Sequence, residues 1–134
     1  MEIHVQSPGG LLIDARFGDF TLTTDQPVAD GGKNSAPSPF DLFLASLATC
    51  AGYYVTAFCR ERDLPTEGIA LKMTNDWNDQ SHLAENIAIE ITLPADFPQK
   101  YRRAVVRAAG MCTVKRHIEK PPAFVITARN GHPG

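Results

Sequence analysis

Apolar positions change rhythm along this chain, and the changes mark its elements. Ile3 to Gln6 reads as a short strand, and Pro8-Gly9-Gly10 is a turn signal. From Leu11 to Phe17 the pattern alternates. Leu11, Ile13, Ala15 and Phe17 share one face, with Asp14 and Arg16 on the other. Gly18-Asp19 turns the chain, and Phe20 to Thr24 returns as the hairpin partner. Gln26 to Pro37, with Gly31-Gly32, Asn34 and two prolines, predicts a mobile loop.

The rhythm then becomes helical. Ser38 is placed as the N-cap, Pro39 as the first helical residue and Asp41 as the capping-box acid. The helix can run to about Arg62, roughly 25 residues or about 37 Å. From Leu42 to Phe58 it is apolar on nearly every side, and one sheet covers only one face of a helix. A second subunit is the economical source of the remaining cover. The same run falls just short of a membrane span. Asp41 and Arg60-Glu61-Arg62 bracket it, so a buried helix is expected and no membrane partner.

Two more strands follow, Gly68 to Trp77 and Ala84 to Leu93, joined through Asn78-Asp79-Gln80-Ser81. Ile87, Ile89, Ile91 and Leu93 share a face of the second. Pro98 to Ala109 predicts a helix carrying Lys100, Arg102, Arg103 and Arg107, which Gly110 ends or bends. Cys112 to Glu119 predicts a short third helix, stopped by Pro121-Pro122, and Phe124 to Ala128 a final strand. This order of elements is α+β. The length suits one domain, residues 1–134, with one core.

Composition narrows the classes. The chain is 43% hydrophobic and 21% charged, which is globular. A formal charge of -2 implies no polyanion, so no nucleic-acid partner is expected. Nothing at the start reads as a secretion leader, and three cysteines is an odd count. Together these favour a reducing, cytoplasmic setting and a redox or buried role over a disulfide framework. His4, His82, His117 and His132 lack metal-like spacing. Gly9-Gly10 and Gly31-Gly32 lack a phosphate-loop context, so neither a metal nor a cofactor is expected.

The thiols are the most reactive side chains present. Cys50 and Cys59 lie nine residues apart on one helix and point to opposite sides. They cannot bridge, because a disulfide needs Cα atoms within about 7 Å. A thiol partner for Cys50 within the chain must then be Cys112. A free cysteine often packs as a small core hydrophobe, and Cys59 is read that way. A reactive thiolate needs a cation or a helix N-terminus nearby. Cys112 meets that in part, since it begins a helix and Lys115 and Arg116 follow. Cys50 sits mid-helix, so its activation must come from elsewhere in the fold.

Pro37-Ser38-Pro39-Phe40-Asp41 and the run through Leu47-Ala48-Thr49-Cys50 resemble the central-helix motif of the OsmC/Ohr family. These are the osmotically inducible and organic hydroperoxide resistance proteins. Cys112-Thr113-Val114-Lys115-Arg116 is similar to the family's second motif, with Thr113 where proline is usual. The resemblance implies antiparallel sheets around a long central helix, in an intertwined homodimer with active sites at the interface. It also implies a thiol peroxidase. Cys50 would attack an organic hydroperoxide and become a sulfenic acid, and Cys112 would resolve it to a disulfide. A dithiol reductant, often lipoyl-linked, would then restore the pair.

Two positions depart from the family's peroxidases. Leu11 follows the Gly9-Gly10 turn where those enzymes carry an arginine, and Phe40 stands where they carry a glutamate. Asp41 is one position, about 100° on a helix, from that site and is better explained as a cap. Arg16, on the polar face of its strand, is the candidate substitute for the arginine. The alternatives to a peroxidase are a non-catalytic binding module with an apolar interface pocket, and a redox-sensing interaction protein.

Overall fold

The computed structural model describes residues 1–131. Strands β1 (His4–Gly9), β2 (Leu12–Phe17) and β3 (Phe20–Thr24) form an antiparallel three-stranded sheet in sequence order. Gly10 adopts a left-handed φ of 59° and Gly18 one of 54°, which lets each turn close tightly. Arg16 sits opposite His4 on one side and Thr21 on the other.

Helix α1 (Pro39–Arg60) starts as its residues dictate. The Ser38 hydroxyl accepts from the Asp41 N–H at 3.1 Å, and the Asp41 carboxylate accepts from the Ser38 N–H at 2.9 Å. The helix ends two residues earlier than predicted. Glu61 is its cap, and Asp63 turns left-handed at φ 51°. Strands β4 (Ala70–Asn78) and β5 (Leu83–Thr92) form an antiparallel hairpin. Its register shifts between Thr74 and Asp76, opposite Asn86 at φ 51°, which is the geometry of a bulge. The predicted helix from Pro98 divides into a 3₁₀ turn (Gln99–Tyr101) and α2 (Arg102–Ala109). Helix α3 (Thr113–Glu119) follows, with Cys112 as its cap rather than its first residue.

The core sits where α1 meets α2 and the β4–β5 hairpin. Leu47, Ala51, Val55 and Cys59, spaced every fourth residue, form the buried stripe of α1. Val55 and Cys59 pack with Phe97 and Val105, surrounded by half-buried Phe58, Leu71, Ile91 and Leu93. Full burial of a valine such as Val55 or Val105 contributes about 1.5 kcal/mol or more. Elsewhere on α1, Phe40, Phe43 and Tyr53 are exposed. By length and hydropathy α1 also passes as a membrane span, a test that the core helix of a soluble protein passes equally. The three-stranded sheet makes its extensive contacts only within itself, whereas α1 packs on α2, α3 and β4.

Two expectations are corrected. Phe124 to Ala128 is not a strand, and Phe124, Val125 and Ile126 are 82%, 88% and 93% exposed. Alternation alone does not make a strand, and no edge in the described chain takes this one up. The segment Gln26 to Pro37 is pinned rather than mobile. It contains a 3₁₀ turn (Val28–Asp30) and folds around the buried Asp25 carboxylate. That group accepts from the Ser35 hydroxyl at 2.7 Å and from the N–H groups of Gln26, Lys33 and Ser35 at 2.8, 3.2 and 3.0 Å. The Ser35 hydroxyl, then the backbone donors, hold Asp25 at about 2 against the opposing pull of burial. Gly32 closes the loop, because a Cβ there would strike the Gln26 carbonyl.

Candidate active site

The two cysteines of the sequence motifs meet where α1 and α3 join. Cys50 is half-buried on α1, Cys112 is buried, and both are free thiols. Cys112 caps α3 with its sulfur, which accepts from the Lys115 N–H at 3.4 Å. Its sulfur lies 3.9 Å from the Leu47 carbonyl, a long contact, and within hydrogen-bonding reach of the Cys50 sulfur. The Tyr54 hydroxyl, one turn after Cys50, meets the Thr113 hydroxyl at 2.8 Å and fastens α1 to the start of α3.

This junction separates the chemistry of the two sulfurs. Burial resists ionisation of Cys50. The Val114 N–H, the Cys112 thiol and the Thr113 N–H all favour its thiolate, and together they carry Cys50 below the ordinary thiol range. Cys112 goes the other way. Burial raises it, and a hydrogen bond and negative charge from Cys50 raise it further, while the N–H groups of Lys115 and Val114 offset only part. Sequence reasoning assigned Cys112 a helix start and left any activation of Cys50 to come from elsewhere in the fold. The first N–H groups of α3, which favour the thiolate on the neighbouring helix, are such a source. The arrangement sets a thiol whose ionisation is favoured beside one whose ionisation is resisted.

Other candidates fall elsewhere. Cys59 lies in the core, raised by burial with only partial relief from the Arg62 charge. Arg16 is exposed on β2, and no guanidinium is among the groups acting on Cys50. Leu11 lines a hollow beside Gly9, Gly10 and Asp25, with a methyl group near Gly31 and no charge to offer. Phe40 packs edge-on against Trp77 at 5.8 Å and beside Phe43 at 5.5 Å. Phe43 precedes Cys50 by seven residues and so shares its side of α1. His117 bonds the Thr113 carbonyl at 2.7 Å, His4 is beside Glu2, and His132 lies outside the described residues. Among the described residues no group of three or more His, Cys, Asp or Glu could hold a metal ion.

Two features escaped sequence reasoning. The Thr113 and Val114 N–H groups carry no side-chain signature, although any helix start offers such free donors. The second feature is an apolar groove of about 480 Å³ between β5, α2 and α3. Ile87, Ile89 and Ile91 form one wall and Val106 and Ile118 another. Leu47, Ala109, Gly110, Cys112 and Lys115 complete the lining. The shared isoleucine face was legible, but the helices opposite it were not.

Comparison with known proteins agrees with the architecture. None of the curated proteins matches the chain. Among solved structures, a Psychrobacter arcticus protein described as an osmotic stress induced and detoxification response protein is 25% identical. It superposes with a TM-score of 0.74 over 85% of each chain. An OsmC like protein from Mycoplasma pneumoniae shares the fold at 12% identity and a TM-score of 0.70, covering 90% of this chain and 87% of that one. An organic hydroperoxide resistance protein OsmC from Legionella pneumophila does so at 17% identity and a TM-score of 0.54, covering 88% and 89%. The family model described as OsmC-like protein matches residues 32–127, a span that holds both motif cysteines. With that match over most of its length and an α+β fold of antiparallel sheets around a central helix, this chain belongs to the OsmC-like protein family.

Proposed function

We propose that residues 1–134 form one OsmC-like domain that pairs with a second copy and acts in the cytoplasm as a thiol peroxidase on organic hydroperoxides. The observation that carries this reading is the Cys50 sulfur set against the Val114 and Thr113 N–H groups and the Cys112 thiol. The Cys50 thiolate attacks the terminal peroxide oxygen. The O–O bond breaks, the alkoxide takes up a proton and leaves as an alcohol, and Cys50 becomes a sulfenic acid. Cys112 then gives up its proton and attacks that sulfur. Water leaves and a Cys50–Cys112 disulfide remains. A dithiol returns both sulfurs to the reduced state. The apolar neighbourhood suits an organic peroxide, and the hydroperoxide-resistance name of the Legionella relative is consistent with it. Arg16, on a sheet detached from the thiols, joins them only if a second copy carries it there.

The test is peroxide consumption with a dithiol reductant. Cys50→Ser abolishes turnover, and Cys112→Ser leaves Cys50 as a sulfenic acid that dimedone traps. Equal activity in wild type and Cys50→Ser would end the proposal. Leu11 and Phe40, at the positions that hold and polarise the peroxide in the resemblance, favour one rival: a binding module without peroxide chemistry. Sluggish kinetics with an apolar ligand retained through purification decide for that rival.

A further inference from the structure

Helix α3 is tied down at its start. It has seven residues, none of them buried, and a helix of that length is marginal in water without packing. Its cap is the Cys112 sulfur, a weak acceptor, and its first turn carries no acid. Gly110 and Met111, which lead into it, are exposed. The chain beyond it, from Pro121 to Gly131, is exposed and forms no helix or strand. Its polar ties to α1 all lie at the first turn: the contacts around the two sulfurs and the Tyr54–Thr113 hydroxyl pair at 2.8 Å. Cys112, at that same place, is 2% exposed, while Cys50 is half-buried.

We propose that α3 is a flap over Cys112, and that Tyr54 is a positioning residue that latches it through the Thr113 hydroxyl. Closed, the flap keeps the Cys112 sulfur against Leu47 and Cys50 and out of solvent. Open, swung about Gly110 and Met111, it uncovers that sulfur and takes Lys115 and Ile118 away from the groove wall. Such a flap needs no peroxide chemistry: it sets when Cys112 can be reached, whatever then reacts with it. The hydroxyl pair is the tie that can be removed without touching a sulfur or a backbone N–H. One neutral hydrogen bond shifts an opening equilibrium about fivefold. The closed form stays dominant after that shift, so Cys50 keeps its N–H donors and its own reactivity.

The test is labelling of the folded full-length protein by N-ethylmaleimide at neutral pH, with each cysteine followed by peptide mass spectrometry. A Cys50→Ser parent, shared by all variants, keeps an adduct on Cys50 from prying α3 away. Cys59, fully buried in the core, reports global unfolding in the same sample. Tyr54→Phe keeps the ring that meets Tyr53 edge-on at 5.3 Å and loses only the hydroxyl. It should raise Cys112 labelling about fivefold over the parent and leave Cys59 unchanged. Thr113→Val should do the same, the double variant should go no further, and Thr113→Ser should label at the parent's rate. Unchanged Cys112 labelling in Tyr54→Phe overturns the latch. So does a multiplied effect of about 25-fold in the double variant, because the two hydroxyls would then act on separate partners. A matched rise at Cys59 overturns the flap, because the whole fold would be loosening rather than α3 alone.

Discussion

Thr113→Pro isolates a single N–H donor to the Cys50 sulfur. Thr113 is the first residue of α3, a position where proline suits a helix. Cys112 before it has φ -46° and ψ 120°, an extended ψ that a following proline permits. The Thr113 N–H makes no backbone hydrogen bond, so its removal leaves the helix ladder intact. What is lost is one donor to Cys50 and the hydroxyl that meets Tyr54 at 2.8 Å. A hydrogen bond to a charged acceptor contributes about 1.5 to 3 kcal/mol. Sulfur is a weak acceptor and Cys50 is partly solvated, which reduces this to about 1 kcal/mol. The thiolate fraction of Cys50 at neutral pH should then fall about fivefold. The assay is the rate of Cys50 alkylation by iodoacetamide against pH, read by peptide mass spectrometry so that Cys59 and Cys112 do not contribute. Thr113→Val keeps the N–H and loses only the hydroxyl, so its profile should follow wild type. Superposed profiles for wild type and Thr113→Pro would refute the reasoning, as would an equal shift in Thr113→Val.

The remaining predictions concern the frame around this site. Asp25 has a folded value of about 2 against an ordinary 3.8, so its stabilisation is complete above about pH 4 and is lost as pH falls toward 2. Urea midpoints measured across that window should drop in wild type and change less in Asp25→Asn; parallel curves would contradict the assignment. Val105→Ala removes two buried methyl groups from the cluster with Val55, Cys59 and Phe97, and should cost about 2 kcal/mol in urea unfolding. A loss below the error of the measurement would show that this cluster is not the core.

Legibility tracked how local each cause was. The start of α1 could be read closely because capping is settled within four residues, Ser38 to Asp41. The face shared by Ile87, Ile89 and Ile91 could be read because strand geometry alternates, and the bulge at Asn86 left that run in phase. Asp25 was overlooked because its donors come from residues 26, 33 and 35, whose return to one point has no periodic signal. Its only clue is turn chemistry, an acid followed by Gly31-Gly32 and Ser35. The meeting of Cys50 with Cys112 came from the resemblance of two motifs. No pattern along α1 reports a helix start more than sixty residues later. The strand at Phe124 failed for a related reason: its sequence is suitable, but a strand exists only beside another strand.

The sheet formed by β1, β2 and β3 has a practical consequence. It leans on almost nothing else in the chain, so its order comes from its own ladders. Small sheets without a packed face are marginal in water. Its amides should therefore exchange with solvent first, and a protease should nick the stretch from His4 to Thr24 while Val55 and Val105 stay locked in place. If a companion molecule covers that sheet, diluting the protein will shorten its life by exposing its first strands to digestion, well before the central helix loosens.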